Sequence, residues 1–210
     1  MSMFKIIFSI AIGYLIGNIS NALLLSKLFF GQDVRQYGSH SAGATNMFRT
    51  YGAKWGIATL LLDILKGALA AWLGKMIGGE NLSLVCLAFA AGAVIIGHDW
   101  PVFYRFQGGK GAATSIGVML VINPWVAVGC LLLAVLISAL TRFMSIGSLV
   151  AILIGCLYAI IFQPLPIKLL FVLVLLLDFW QHRENIARLL KGEENPMFKR
   201  SLMDWIKERK

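Results

Sequence analysis

A glycine-rich, cationic loop at residues 97–114 carries the clearest chemical signature in this sequence. At its centre, Gly108, Gly109 and Gly111 surround Lys110. Glycines let backbone N–H groups turn toward an anion without side-chain obstruction, and the lysine adds a full positive charge. The loop is therefore expected to hold a phosphate. The short Gly-Gly-Lys-Gly segment needs support from its surroundings, because it lacks the spacing of a nucleotide P-loop and no βαβ pattern surrounds it.

Three further polar clusters contain the same kinds of group, namely hydroxyls, amides and cations with few acids. Such a mixture suits oxyanions that are held by hydrogen bonds and charge. The clusters are the segment 38–49, the group Arg142, Ser145 and Ser148, and the segment 182–188. A fold that brings them to the loop at 97–114 would form one shared anion site.

The composition places these clusters in an integral membrane protein. The chain of 210 residues is 59% hydrophobic and 14% charged, whereas soluble domains carry about 25% charged residues. Several of its apolar runs reach the roughly 17–25 residues that a helix needs to cross a bilayer. The runs cover residues 6–26, 55–77, 82–97, 113–140, 146–162 and 167–181. We therefore expect an all-α, polytopic membrane protein.

Residue positions argue against two other interpretations of the composition. The formal net charge of +9 would suit nucleic acid, but the basic residues lie in loops and a tail beside apolar helices rather than on one soluble face. Cys86, Cys130 and Cys156 lie inside apolar runs, which is typical of buried cysteines and not of a disulfide or metal framework. The 3 histidines are on separate loops, so neither a metal site nor a cofactor is expected.

Turn signals divide the apolar runs into seven predicted transmembrane helices. The separators include residues 78–81, Asn123-Pro124 and residues 163–166, and the polar stretch 31–51 is predicted as a loop. The predicted helices cover about 4–29, 54–76, 82–96, 112–122, 125–140, 146–162 and 167–181. Together they form one transmembrane domain at residues 1–194.

Charge distribution predicts how this bundle is oriented. Most of the 19 Lys and Arg residues fall on one side of a seven-helix arrangement, and the positive-inside rule makes that side cytoplasmic. The N-terminus is then outside and the C-terminus cytoplasmic. All four polar clusters share the cytoplasmic face, which allows a common site.

The C-terminal stretch 195–210 has a helical pattern of its own. Asn195-Pro196 is typical of an N-cap followed by proline at the first helical position. Apolar residues then recur at helical spacing opposite basic ones, which predicts an amphipathic helix lying on anionic lipid. A frayed, solvated tail is the alternative.

Two charged residues interrupt the second predicted helix. Asp63 and Lys66 are three positions apart, so they share a helical face. Charges at that depth must be paired or face the interior of the bundle. We interpret them as a buried pair that packs this helix against its neighbours, and direct participation in chemistry is the alternative.

Four motifs resemble those of a known family. They are G-S-x-x-x-G-A-T-N-x-x-R at 38–49, D-x-x-K-G at 63–67, G-H-x-x-P-x-F-x-x-F-x-G-G-K-G-x-A-T at 97–114 and H-R-x-N-I-x-R-L-x-x-G-x-E at 182–194. In this order, over nearly the whole chain, they resemble the bacterial membrane-embedded glycerol-3-phosphate acyltransferases that use acyl phosphate. The first motif departs from the family pattern, because His40-Ser41 stands where Gly-Asn is common.

The resemblance implies seven transmembrane helices and a site that faces the cytoplasm at the bacterial inner membrane. It implies transfer of a fatty acyl group from long-chain acyl phosphate to the 1-hydroxyl of glycerol 3-phosphate, the first acylation step of phospholipid synthesis. The products would be lysophosphatidate and inorganic phosphate. Besides the two substrates, membrane lipids and the enzyme that forms acyl phosphate are the expected partners.

The expected site residues follow from these motifs and from the chemistry. Acyl phosphate is an activated mixed anhydride, so the enzyme must mainly align a hydroxyl with its carbonyl and hold two phosphates whose charges repel. We assign phosphate binding to Lys110 and Arg49. Ser39, His182 and Asn185 form the expected catalytic group, with Asn185 polarising the acyl carbonyl or positioning the hydroxyl. The other expected substrate-binding residues are Gly38, Thr45, Asn46, Gly108, Gly109, Gly111, Arg142, Ser145 and Ser148.

The proton acceptor and the reaction class leave alternatives open. His98, His182 and the substrate's own phosphate are all candidates for taking the hydroxyl proton. No histidine has Asp five positions later, which argues against the H-x-x-x-x-D chemistry of soluble-type acyltransferases. A transporter of an anionic solute, which should show inverted repeats or helices broken at the midplane, and a lipid-binding scaffold are the alternative functions.

Overall fold

The computed structural model describes residues 1–197 of the chain. These residues form nine α-helices and two short 3-10 turns, and no strand occurs among them. The helices are α1 (Ser2–Gly17), α2 (Asn21–Phe30), α3 (Ala44–Tyr51), α4 (Ala53–Asp99), α5 (Ala112–Ile122), α6 (Pro124–Thr141), α7 (Met144–Phe162), α8 (Leu165–Gln181) and α9 (Arg183–Lys191). The 3-10 turns are Val34–Gln36 and Val102–Tyr104.

The first predicted helix is broken in the structure, where α1 and α2 replace a single helix over residues 4–29. The cause is a local competition for hydrogen bonds. The side-chain amide of Asn18 donates to the carbonyl of Tyr14 at 2.7 Å, and Ser20 adopts an extended conformation with φ −86° and ψ 94°. Lys66 of α4 compensates by donating to two carbonyls at the break.

α4 contains the turn that is predicted between the second and third helices. The structure has one hydrogen-bonded element over both of these predicted helices, but Gly79 within it has φ 64° and ψ −154°. Glycine is the residue that takes this conformation at little cost. The predicted turn is thus confirmed at Gly79, and the two arms of α4 approach closely where Gly74 meets Ala90.

α5 and α6 confirm the predicted division at Asn123-Pro124. The side-chain oxygen of Asn123 accepts from the backbone N–H groups of Trp125 and Val126 at 3.1 and 3.2 Å, and Pro124 occupies the first helical position. The remaining apolar helices, α7 and α8, begin close to their predicted starts at residues 146 and 167.

Two short polar helices lie outside the seven predicted ones. α3 falls in the stretch predicted as a loop, and α9 follows α8 in a segment with no predicted helix. Their hydropathy is too low for them to stand out among long apolar runs. Gly43 and Gly52 flank α3, and Gly192, with a left-handed φ of 73°, ends α9. α3 packs against α4, which brings the first polar segment to the bundle.

Four segments of the described chain are long and apolar enough to cross a membrane, namely Ser2–Phe30, Ala53–Tyr104, Pro124–Thr141 and Met144–Phe162. α8 and α9 pass the same test together, with a bend of 52°, which gives five if the bent pair is one span. The seven spans and the orientation of the termini therefore remain predictions. The amphipathic helix predicted for residues 195–210 lies almost entirely outside the described residues.

Glycines let α4 and α5 approach closely. A side chain at Gly67 would collide with the backbone of Thr114, and one at Gly117 would collide with the backbone of Ile64. Close approach through small residues is typical of helices in membranes. The contact at Thr114 holds the first turn of α5 against α4, and with it the loop that ends at Lys110.

Candidate active site

One cavity of about 350 Å³ receives residues from all four polar clusters. The polar part of its lining, called the polar end below, includes the predicted residues Ser39, Thr45, Asn46, Arg49, Lys110, Gly111, Ser145, Ser148, His182 and Asn185. The apolar part, called the apolar wall below, includes Phe48, Ile57, Leu60, Val135 and Met144. A polar end beside an apolar wall suits an amphipathic ligand.

Lys110 reaches the polar end from the loop before α5. Its ammonium donates to the side-chain oxygen of Asn185 on α9. The Nδ2 of Asn185 in turn donates to Oε1 of Glu194 at 2.6 Å. Because the ammonium only donates and the carboxylate only accepts, this amide has a single favourable orientation. Asn185 thus connects a cation to an anion.

Glu194 connects several elements around this part of the cavity. It is not among the predicted site residues. Its carboxylate also accepts from Ser145 Oγ at 3.2 Å and from Arg188 Nε at 2.8 Å. These bonds join α7, α9 and the segment that follows α9. The one sequence signal for Glu194 is its place at the end of the fourth motif.

Burial lowers the pKa of Lys110 to about 8. The neighbouring Arg188 lowers this pKa as well, whereas Glu194 opposes the shift. The side chain therefore stays mostly charged at neutral pH, and an anion that enters the cavity favours the charged form further. Lys110 therefore brings a positive charge to the cavity that is lost at moderately alkaline pH.

Arg49 of α3 has one donor edge in use and one free. Its Nη2 donates to the carbonyl of Asn195 at 2.6 Å, whereas its Nε is buried and has no hydrogen-bond partner within residues 1–197. Burial lowers the pKa of this guanidinium, an effect that Glu194 opposes, and a guanidinium stays charged at physiological pH. An unpaired buried donor in the same cavity as Lys110 is suited to an anion.

The predicted glycine cradle is only partly available to an anion. The N–H groups of Gly108 and Gly109 donate to the carbonyls of Asp99 and His98 at 3.1 and 3.0 Å, and neither glycine lines the cavity. A side chain at Gly108 would nevertheless collide with the backbone of both residues, and one at Gly109 would collide with the imidazole of His98. The structure gives both glycines a bracing role in place of the predicted phosphate contact.

The remaining backbone donors lie at the start of α5. Gly111 is the N-cap of this helix and has a φ of 77°, in the left-handed region that favours glycine. The first N–H groups of an α-helix have no partner inside the helix and attract anions. Ala112 and Ala113, which carry such groups, line the cavity. In this loop, the backbone N–H groups beside the cavity that have no partner within residues 1–197 therefore belong to the start of α5 and not to Gly108 and Gly109.

Asn46 and Gly38 organise the first polar segment. The Oδ1 of Asn46 accepts from the N–H of Ser39 at 2.9 Å, and its Nδ2 donates to three backbone carbonyls. These carbonyls belong to Val34, Tyr37 and Ser41. Gly38 has a φ of 60°, and a side chain there would collide with Asn46. Both residues thus position Ser39; Asn46 also lines the cavity, whereas Gly38 does not, and their predicted substrate contacts stay predictions.

The departure from the family pattern in this segment leaves a strained residue. His40 has a φ of 56°, in the left-handed region that non-glycine residues rarely occupy. Its Nδ1 lies 2.9 Å from the carbonyl of Arg35, and this contact holds the imidazole away from the cavity. The next residue, Ser41, lines the cavity.

Arg142 is separated from the two serines with which it is predicted to act. It ends α6 with a left-handed φ of 74°, and its carbonyl accepts from the N–H of Met197 at 2.7 Å. It does not line the cavity, whereas Ser145 and Ser148 do. The main-chain carbonyl of Arg142 therefore helps to fix the segment after α9. Its side-chain Nε is buried without a hydrogen-bond partner within residues 1–197, and the predicted substrate contact of this side chain stays a prediction.

Three other titratable side chains face the cavity. His182 is a predicted site residue, and its Nδ1 lies 2.8 Å from the carbonyl of Asp178. His98 and Asp63 reach the cavity from α4. The carboxylate of Asp63 lies 3.2 Å from the ammonium of Lys66, which confirms the predicted buried pair; of the two residues, Asp63 lines the cavity.

Comparisons with known proteins point to a single family. A family model described as glycerol-3-phosphate acyltransferase matches residues 7–192. A curated glycerol-3-phosphate acyltransferase from Finegoldia magna is 41% identical over 192 residues, which cover 89% of this chain and 93% of the relative. Another, from Bordetella pertussis, is 40% identical over 197 residues, which cover 91% of each chain.

The fold is similar to crystal structures of PlsY (YgiH), an integral membrane glycerol 3-phosphate acyltransferase. The glycerol 3-phosphate form of that protein matches with a TM-score of 0.82 and 34% identity, over 93% of this chain and 94% of that chain. The lysophosphatidic acid form matches with a TM-score of 0.81 and 33% identity, over 90% of this chain and 94% of that chain. The similarity extends over nearly the whole bundle.

Proposed function

Since this chain belongs to the glycerol-3-phosphate acyltransferase family, we propose that it transfers a fatty acyl group from acyl phosphate to the 1-hydroxyl of glycerol 3-phosphate. The products are lysophosphatidate and inorganic phosphate. The cavity supports this function, because Lys110 and the free edge of Arg49 face the same space as an apolar wall. Such a space suits an anionic head and a fatty chain at once.

Two phosphates must lie close together in this reaction, one on glycerol 3-phosphate and one on the acyl donor. Lys110, Arg49 and the first turn of α5 are the groups available to neutralise them. Charge-assisted hydrogen bonds to phosphate are strong where water is largely excluded. Neutral donors complete the site, namely Ser39, Thr45, Ser145 and Ser148.

The chemistry requires alignment more than a strong nucleophile. The 1-hydroxyl oxygen attacks the acyl carbonyl carbon, the bond from that carbon to the phosphate oxygen breaks, and the phosphate leaves with its electron pair. The hydroxyl proton ends on the released phosphate, either directly or through His182. The negative charge that develops on the carbonyl oxygen is stabilised by Lys110 and the amide of Asn185.

We propose acyl phosphate as the donor in preference to an acyl-CoA thioester. No histidine in the chain has Asp five positions later, so the H-x-x-x-x-D motif of soluble-type acyltransferases is missing. The phosphate leaving group is itself an oxyanion of the kind that Lys110 and Arg49 bind. An upstream enzyme that forms acyl phosphate is the expected supplier.

We assign the site to the cytoplasmic face of the bacterial inner membrane. The support is the positive-inside distribution of Lys and Arg, which places the polar clusters on the cytoplasmic side. Glycerol 3-phosphate is then reached from water, and the fatty chain enters along the apolar wall of the cavity.

Purified protein in detergent tests this function. With glycerol 3-phosphate and palmitoyl phosphate it is expected to release phosphate and form lysophosphatidate, and with palmitoyl-CoA it is expected to form neither. Turnover with the CoA ester alone would reverse the donor assignment. Turnover with neither donor would disprove the acyltransferase function.

Substitutions in the same assay test the two cations. Lys110→Ala and Arg49→Ala are each expected to abolish or nearly abolish turnover while the protein still elutes as folded material, because each removes a charge from the phosphate site. Lys75→Ala, which removes an exposed lysine of α4, is the matched control and should leave turnover unchanged. Near-normal rates in either cavity variant would remove that residue from phosphate binding.

A further inference from the structure

The break between α1 and α2 receives a buried lysine from α4. The side chain of Lys66 is 6% exposed, and its Nζ donates to the carbonyls of Gly17 and Ile19 at 3.3 and 2.8 Å. The same atom lies 3.2 Å from Oδ1 of Asp63. All three partners can only accept hydrogen bonds, so they hold the amine as an ammonium ion.

The fourth neighbour of this ammonium is an imidazole. Nζ of Lys66 lies 2.8 Å from Nδ1 of His98. An ammonium has no lone pair and three N–H groups. Two of them go to the nearest acceptors, Nδ1 of His98 and the carbonyl of Ile19, and the third is shared by the carbonyl of Gly17 and the carboxylate of Asp63. Because Nδ1 accepts, the proton of the neutral ring resides on Nε2. Asp63 does not reverse this assignment, since its Oδ1 is 3.8 Å from Nδ1 and accepts from Asn21 at 2.9 Å.

The Nε2 edge of His98 faces the loop that carries Lys110. A side chain at Gly109 would collide with Nε2, and the ring lines the cavity together with Lys110. Because the ring of His98 lines the cavity, a proton on Nε2 makes this side chain a neutral hydrogen-bond donor at the cavity wall.

His182 has the opposite arrangement. Its Nδ1 lies 2.8 Å from the carbonyl of Asp178, which can only accept, so the proton of the neutral ring resides on Nδ1 and Nε2 keeps a lone pair. One imidazole of the cavity thus donates from Nε2, while the other accepts there.

We propose that Lys66 is a positioning residue that fixes the proton of His98 on Nε2, so that His98 donates a hydrogen bond to the phosphate or hydroxyl groups of the substrate. This role rests on the proposed function, since it needs an oxygen-rich substrate in the cavity. Lys66 does not line the cavity, so the proposed role is exerted through His98. In this proposal, His98 donates a hydrogen bond to the substrate and His182 accepts one.

Nitrogen-15 NMR reads these tautomers directly, because the chain has only 3 histidines. The full-length protein in detergent, labelled at the imidazole nitrogens, is recorded by long-range proton–nitrogen correlation, and His40→Gln and His182→Gln variants assign the signals. The expected wild-type result at neutral pH is an Nε2–H ring for His98 and an Nδ1–H ring for His182. An Nδ1–H ring or an imidazolium at His98 would overturn the proposal, whether or not the Lys66 variants fold.

A kinetic cycle separates this role from a purely structural one. Lys66→Met is expected to lower kcat/KM for glycerol 3-phosphate by roughly 10-fold and to move the His98 signal away from the pure Nε2–H form. His98→Gln keeps an N–H donor at the end of its side chain, but its donor no longer depends on Lys66. Adding Lys66→Met to His98→Gln is therefore expected to cost less than about 3-fold.

Equal losses from Lys66→Met in the two backgrounds would show that the lysine acts through the fold alone, and would overturn the proposal. Failure of the proposed function gives a different pattern. Expected tautomers without turnover on either acyl donor would overturn the acyltransferase function and, with it, the substrate role of His98. Turnover by a wild-type protein with the wrong His98 tautomer would overturn the role of Lys66 alone.

Discussion

Two asparagines of the cavity, Asn46 and Asn185, have the same side chain and different uses. Both are buried, with 1% and 4% of their surface exposed. The hydrogen bonds of Asn46 go to backbone groups of its own part of the chain. Those of Asn185 go to two charged side chains, Lys110 and Glu194. The partners, and not the residue type, decide which amide builds the loop and which one belongs to the site.

The same difference separates the segments that contain them. The hydrogen bonds of Asn46 hold the first polar segment, residues 38–49, as a loop in which Ser39 lines the cavity. The segment from His182 to Glu194 instead carries its charges inward, where Arg188 pairs with Glu194 at 2.8 Å. The first segment therefore satisfies its own polar groups, whereas the second links charged side chains from different parts of the chain.

Alanine substitutions at Asn46 and Asn185 test this difference most directly, and they are expected to have the largest effects. Asn185→Ala is expected to lower kcat/KM by roughly 10²-fold, because it removes a preorganised amide beside Lys110. Asn46→Ala is expected to lower the free energy of unfolding by about 1–3 kcal/mol, because it leaves buried backbone groups without a partner. Steady-state kinetics and thermal unfolding in detergent measure the two effects.

The stability of Asn185→Ala is expected to change less, since Lys110 and Glu194 can then pair directly. The comparison fails if Asn46→Ala loses activity as strongly as Asn185→Ala while its unfolding temperature stays at the wild-type value. In that case Asn46 would itself contact the substrate.

An effect of intermediate size is expected in the pH dependence of catalysis, because it follows the charge of Lys110. With a pKa of about 8, the ammonium is present below that pH and is lost as the pH rises through it. The kcat/KM for glycerol 3-phosphate is therefore expected to fall as the pH rises through about 8. Because a bound anion favours the charged form, the corresponding fall in kcat is expected at higher pH.

Glu194→Gln sharpens this measurement. The carboxylate of Glu194 raises the pKa of Lys110, so its removal is expected to move the inflection of kcat/KM to lower pH and to reduce kcat/KM at neutral pH by roughly 10-fold. Glu193→Gln, which changes the exposed neighbour in the same segment, is the matched control and should leave the inflection in place. Equal shifts in the two variants would mean that only overall charge matters.

The smallest effect compares two serines on α7. Ser145 donates to Glu194 at 3.2 Å, so Ser145→Ala is expected to lower kcat/KM by roughly 3–10-fold, as for the loss of one hydrogen bond of about 1 kcal/mol. Ser148→Ala removes a hydroxyl that lines the cavity, and the expected loss is less than about 3-fold. A larger loss at Ser148 than at Ser145 would show that contact with substrate outweighs contact with Glu194.

Much of the fold could be predicted because its signals are local. Hydropathy located the apolar helices, the Asn123-Pro124 pair divided α5 from α6, and glycines marked the turn at Gly79. The break between α1 and α2 escaped prediction, because the carbonyls it exposes are satisfied by Lys66, which lies far along the chain. The short helices α3 and α9 escaped because they are too polar to stand out by hydropathy.

Part of the candidate site could also be predicted from local signals, and part of it could not. Residue types and motif spacing identified Lys110, Arg49 and Asn185, which meet in one cavity. They also suggested Gly108 and Asn46 as ligand contacts, although the hydrogen bonds of both are used within the fold. Nothing in the local sequence distinguishes a saturated donor from a free one, because saturation depends on groups that only folding brings near.

By itself, the sequence determined the membrane class, the chemistry of the polar clusters and the resemblance to a family, since composition, periodicity and motif spacing are properties of the chain. The tertiary structure decided which polar groups remain free, how the amide of Asn185 is turned and why Glu194 belongs to the site. The reason is physical: a buried hydrogen-bonding group must find a partner, and in this bundle the partners come from distant helices. The anion site is what remains once those bonds are made.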